Sequence, residues 1–146
     1  MKFSTTIWIM FIFSFFIQYY LMTIISVNNI NNFTNNYGKI YMSLIMGLSM
    51  ILLELSMHDY HYNSLHLKYY IIILFSLIIC IYFYRNQLFI NDKQFLRGMI
   101  EHHSMAILQS EEIVNKTDDY NIAKLAKDII QNQNDEIRKM KELLYA

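Results

Sequence analysis

Two adjacent histidines, His102 and His103, interrupt the apolar pattern of Asp92-Lys-Gln-Phe-Leu-Arg-Gly-Met-Ile-Glu-His-His-Ser-Met-Ala-Ile-Leu. Imidazoles on a core-facing stripe cost free energy unless a hydrogen bond or a ligand satisfies them, and imidazole is a common metal ligand. Met99 adds a thioether within one turn, and a later apolar stretch is interrupted in the same way by Gln133 and Glu136. Histidine with methionine favours copper, Cu(I) especially, whereas histidine with a carboxylate also suits Zn or Fe. Neighbouring residues on a helix point about 100° apart, so His102 and His103 do not readily share one ion. One imidazole is expected to bind while the other orients it or serves a neighbouring chain. The alternative is a buried polar network with no ligand, in which one histidine pairs with Glu136 and the other with Gln133 or a carbonyl.

Two helices must position these residues. Asn91 with Gln94 has the form of a capping box, and Asp92 adds negative charge at the same point, so a helix is expected to start near Asp92. Its core-facing side is Phe95, Leu96, Met99, His102, His103, Ala106, Ile107, Ser110, Ile113 and Val114, while Arg97, Glu101, Ser104 and Glu112 are expected to face solvent. Asn115-Lys-Thr-Asp-Asp reads as a short turn, with Thr117 or Asp118 capping a second helix that runs to about Leu144. A loop this short predicts an antiparallel helical hairpin. Pairing about the turn sets His103 level with Ile130 and Met99 level with Asn134. Met99, His102, His103, Gln133 and Glu136 then gather at one level as the expected metal site.

The rest of the chain is of another kind. Before Arg85 the only Lys, Arg, Asp or Glu residues are Lys2, Lys39, Glu54, Asp59 and Lys68. Apolar runs, interrupted by one charge at Glu54, predict three transmembrane helices, over about 7–27, 40–57 and 69–84. The chain thus divides into a membrane region, 1–85, and a soluble helical hairpin domain, 86–146. Lys2 before the first run also suits a signal peptide, but no small-x-small cleavage site follows, so an uncleaved anchor is expected. Counting Lys2 and Lys68 against Lys39, Arg85, Lys93 and Arg97 favours a cytoplasmic soluble half. Met42, Met46, Met50 and Met57 form a stripe on the second span beside Glu54, read either as adaptable packing or as thioether coordination of a soft ion. The polar linkers are an Asn-rich stretch from Asn28 to Gly38 and the stretch from His58 to Lys68, which carries His58, His61 and His66.

Composition narrows the classes further. No proline and only 3 glycines among 146 residues favour an all-α chain. A formal net charge of zero and no long basic run leave nucleic acid without an electrostatic footprint. The lone Cys80 excludes an intramolecular disulfide and a multi-cysteine metal site. No nucleophile stands beside a base and no phosphate-binding glycine loop is present, so an enzyme is not expected.

At the histidine-bearing residues the chain resembles the domain-of-unknown-function family 305. The matching residues are Phe95, Leu96, Met99, Ile100, His102, His103, Ala106 and Ile107, followed by Leu125, Ala126, Ile129, Ile130, Gln133, Glu136, Ile137 and Met140. Glu101 stands where the family pattern has proline, and Gln109-Ser110 where it has Met-Cys. The resemblance implies a ferritin-like helix pair, a functional His-His motif and, in some members, an association with copper. The expectation is therefore a multi-pass membrane protein with a copper-binding His-His helical hairpin acting in metal homeostasis. Its expected partners are the lipid bilayer and further copies of itself, because two helices alone cannot cover both apolar faces. A non-catalytic membrane scaffold, in which the histidines only specify helix packing, is the competing expectation.

Overall fold

The structure, a computed structural model, describes residues 3–145; Lys2, used above in the charge count, lies outside them. All regular structure among the described residues is helical: α1 (Phe3–Phe16), a π-helical turn (Ile17–Leu21), α2 (Met22–Ser26), a 3-10 turn (Ile30–Asn32), α3 (Tyr37–Tyr62), α4 (Leu67–Arg85), α5 (Asp92–Val114) and α6 (Tyr120–Tyr145). Three stretches, Thr5–Ser26, Tyr37–Tyr62 and Leu67–Arg85, are long and apolar enough to cross a membrane. The described residues divide into two compact units, 3–21 with 38–89 and 22–37 with 90–145.

In the first unit, α3 buries Lys39, Ser43, Gly47, Ile51, Leu55 and Asp59. A spacing of four keeps such residues on one side of a helix. Ile51, Leu55 and Ile73 form the core, against which Ile7, Phe11, Leu52, Tyr70 and Leu77 pack. A Cβ at Gly47 would stand 2.8 Å from two atoms of the Phe11 ring, so only glycine admits this approach. The Lys39 ammonium is held 4.7 Å from the centroid of the Tyr19 ring, a cation–π contact. Phe13, Ile71, Phe75 and Ile78 are exposed on these apolar helices. Met42, Met46 and Met57 are also exposed and Met50 is half-buried, so this stripe faces away from the unit's own core.

The second span is longer than its sequence suggests. No helix breaker stands between Met57 and Tyr62, and α3 runs on to Tyr62, which places His58, Asp59 and His61 on a helix instead of in a linker. Asn63 then takes a left-handed conformation, with φ 46°. The Ser64 N–H donates to the Asp59 carbonyl at 3.0 Å. These two features make a Schellman ending.

In the second unit, α5 and α6 pack together through Ile100, Ile107, Ile137 and Met140, flanked by Leu96, Met99, Ile130 and Leu144. Asn91 caps α5 by accepting from the Gln94 N–H at 3.0 Å, as its position suggests. The Gln94 side chain, however, accepts from the Tyr37 N–H at 2.9 Å. The cap of α6 is Asp119, one residue beyond the expected pair: its carboxylate accepts from the N–H groups of Asn121 (2.7 Å) and Ile122 (3.2 Å). Thr117 instead takes the Asp119 N–H at 3.2 Å.

Of the α5 residues expected to meet solvent, Glu112 is exposed and Arg97 half-buried, but Glu101 and Ser104 are covered. Ser104 has no exposed surface and Glu101 is buried, because the Asn-rich segment packs over them. The Asn28 N–H donates to the Ser104 hydroxyl (3.0 Å), which donates in turn to the Asn28 side-chain oxygen (2.6 Å). The Asn32 amide donates to the Ser104 hydroxyl (3.3 Å) and the Asn28 side-chain oxygen (3.2 Å), while its own oxygen accepts from Lys141 (2.6 Å). Glu101 accepts from the Thr34 N–H (2.6 Å) and from the Asn36 amide (3.1 Å). A helical wheel separates apolar from polar residues, and it cannot distinguish a polar face in water from one in contact with asparagine.

Candidate functional site

α5 and α6 bring two of the five expected ligands into contact. His103 Nδ1 lies 3.1 Å from Glu136 Oε2. The nitrogen is buried and has no hydrogen-bond partner, since the two atoms are close but not aligned. Burial pushes the His103 imidazole below its ordinary value, with the neighbouring His102 adding to the shift and the Glu136 carboxylate opposing it. A histidine in that state is neutral at neutral pH and keeps a lone pair for a ligand. The Glu136 side chain is half-exposed, so the pair opens toward solvent at the edge of the helix interface.

The other three expected ligands are placed differently. His102 is exposed, with its ring centroid 6.1 Å from that of His103. It therefore lies beside His103 and not in the helix interface. Met99 packs against the apolar core, and Gln133 is half-buried with no hydrogen bond to either histidine. The donors at this edge are thus imidazole and carboxylate, a set suited to a divalent ion of borderline softness.

A second cluster was not singled out from the sequence. His58, Asp59 and His66 offer ligand atoms that all lie within 4.8 Å of one another. His66 Nδ1 lies 2.5 Å and His58 Nδ1 3.4 Å from the same Asp59 Oδ1. Asp59 is buried at the end of α3, whereas His66 immediately precedes α4. Periodicity finds residues sharing one helix face, and this cluster is assembled across a chain reversal. The available signal was a carboxylate in an apolar span beside a histidine, with a second histidine just past the helix stop.

The Asn-rich segment, expected only as a polar linker, also packs onto α5, and its sequence carries no periodic signal for that contact. The Asn32 amide is buried and donates two hydrogen bonds.

These features describe an all-helical protein with three helices apolar enough to cross a membrane and a histidine-bearing pair of helices at its C-terminal end. The chain belongs to the family described as Domain of unknown function (DUF305), whose model matches residues 87–144. Uncharacterized protein L153 of Acanthamoeba polyphaga mimivirus is 40% identical over 130 residues, covering 88% of this chain and 85% of that protein. No solved structure matches the chain.

Proposed function

We propose that this is a multi-pass membrane protein that binds copper at the edge of the α5–α6 pair, with a role in metal homeostasis and no catalytic activity of its own. The observation that carries the proposal is His103 Nδ1, a buried nitrogen with no hydrogen bond, 3.1 Å from a carboxylate oxygen. His103 and Glu136 would hold the ion, and His102 would complete or exchange the coordination from the exposed side. The imidazole and carboxylate donors favour Cu(II), or Zn(II) as a competitor, over Cu(I). Met99 and Gln133 belong to the packing around the site in this reading.

The α5–α6 pair is read as a ferritin-like antiparallel hairpin, which as a single pair is half of a four-helix bundle. Ile122, Leu125 and Leu143 on α6 are exposed apolar residues, and a second copy of the chain would cover them.

The test is copper(II) titration of the full-length detergent-solubilised chain, followed by electron paramagnetic resonance. Every sample has His58, His61 and His66 replaced by alanine, which leaves only His102 and His103 of the 5 histidines. The chain with both histidines is expected to show a nitrogen-coupled copper signal that His103→Ala abolishes. Glu136→Gln, which removes a carboxylate ligand, is expected to weaken binding by at least the roughly 10- to 100-fold known for disturbing a ligand's surroundings. Identical spectra and affinities in all three chains would refute the proposal. A scaffold role, favoured by the exposed α6 residues, instead predicts that His103→Ala lowers thermal stability equally with copper and with chelator.

A further inference from the structure

We propose that the turn joining α3 to α4 holds a separate metal site, formed by His58, Asp59 and His66, for a divalent cation of borderline softness such as Zn(II). The inference stands on these residues alone and does not depend on the α5–α6 edge.

The turn prepares the carboxylate. Asp59 is buried while its side chain is fixed at both oxygens: Oδ2 accepts from the His66 N–H at 2.8 Å, and Oδ1 accepts from the Ser64 hydroxyl at 3.1 Å. The left-handed Asn63 and the Ser64 N–H bond to the Asp59 carbonyl lock the backbone between the ligands. These contacts explain why Asp59 is there, as the cap of the reversal. They do not explain why a second imidazole, that of His58, is also brought to the same oxygen.

Two imidazole nitrogens converge on one carboxylate oxygen, with ring centroids 5.7 Å apart. The His58 and His66 side chains keep 22% and 37% of their surface exposed against 6% for Asp59, so the imidazoles can adjust by a small rotation around a fixed carboxylate. Zn–N and Zn–O bonds of about 2.0–2.2 Å require only such a movement to draw the three ligand atoms onto one ion. Each imidazole binds a metal through Nδ1 when its ring proton resides on Nε2, a different tautomer from the one that donates to the carboxylate. Two nitrogens and a carboxylate oxygen form a set suited to Zn(II) and its divalent neighbours and unsuited to Cu(I). Three protein ligands leave a fourth position to water, the arrangement of an exchangeable ion.

The experiment measures carbethoxylation of each histidine by mass spectrometry in the full-length chain in detergent, with Zn(II) or with chelator. Zn(II) is expected to suppress modification of His58 and His66 while leaving the exposed His61 unchanged. Ser64→Ala, which removes a hydroxyl holding Asp59 Oδ1, is expected to raise the Zn(II) concentration giving half protection by about tenfold. Equal modification of His58 and His66 with and without Zn(II), or protection of His61 to the same degree, overturns the site. Because the wild-type chain supplies the main reading, loss of folding in a variant cannot obscure it. His103→Ala should leave this protection intact, so failure at either site is seen independently of the other.

Discussion

Ser104 bears more of the second unit's polar packing than either histidine beside it. Its hydroxyl, itself fully buried, accepts from the Asn28 N–H and the Asn32 amide and donates to the Asn28 side-chain oxygen. Ser104→Ala is expected to lower stability by about 1–3 kcal/mol, because buried partners lose a hydrogen-bonding group that water cannot replace. Thermal unfolding in detergent measures this, and a shift no larger than that of the exposed Gln109→Ala would contradict it. At this scale the sequence was legible where a residue broke an expected pattern. His103 and Glu136 did so and are in contact. Ser104 and Glu101 sat where polar residues were expected, and nothing local to α5 marked them as buried.

Among the elements, helix identity follows directly from composition, because long apolar runs without proline have few other options. Boundaries depend on particular side chains: Asp119 opens α6 and Asn63 closes α3. Packing between helices is set by small residues that hydropathy does not distinguish. Gly47→Leu is expected to destabilise the first unit by about 1–3 kcal/mol through overpacking against Phe11. Gly98 is the contrasting case, since a Cβ there meets only Asn36 at 3.7 Å and 3.8 Å. Gly98→Ala should be neutral or stabilising by up to about 1 kcal/mol from helix propensity. Comparing unfolding temperatures of the two variants separates helix preference from close packing, and equal shifts would contradict the account.

For the whole molecule, three apolar helices and an α6 with exposed apolar residues predict a protein that remains with membranes in alkaline carbonate and self-associates in mild detergent. Leu125→Lys with Leu143→Lys should reduce the mass seen by sedimentation without loss of helicity. A monomeric wild-type chain would count against the proposed pairing of copies. The division between apolar and charged halves was legible in the sequence. The composition of the second unit was not, because residues 22–37 and 90–145 are joined by contacts between distant parts of the chain. That discontinuity has a consequence during synthesis. Asn28 pairs with Ser104, which follows it by 76 residues. At about 5–20 residues per second, Asn28 is synthesised roughly 4–15 seconds before its partner. For that interval its amides have only water or a chaperone to bind, and the second unit can close only after both later apolar helices have been made.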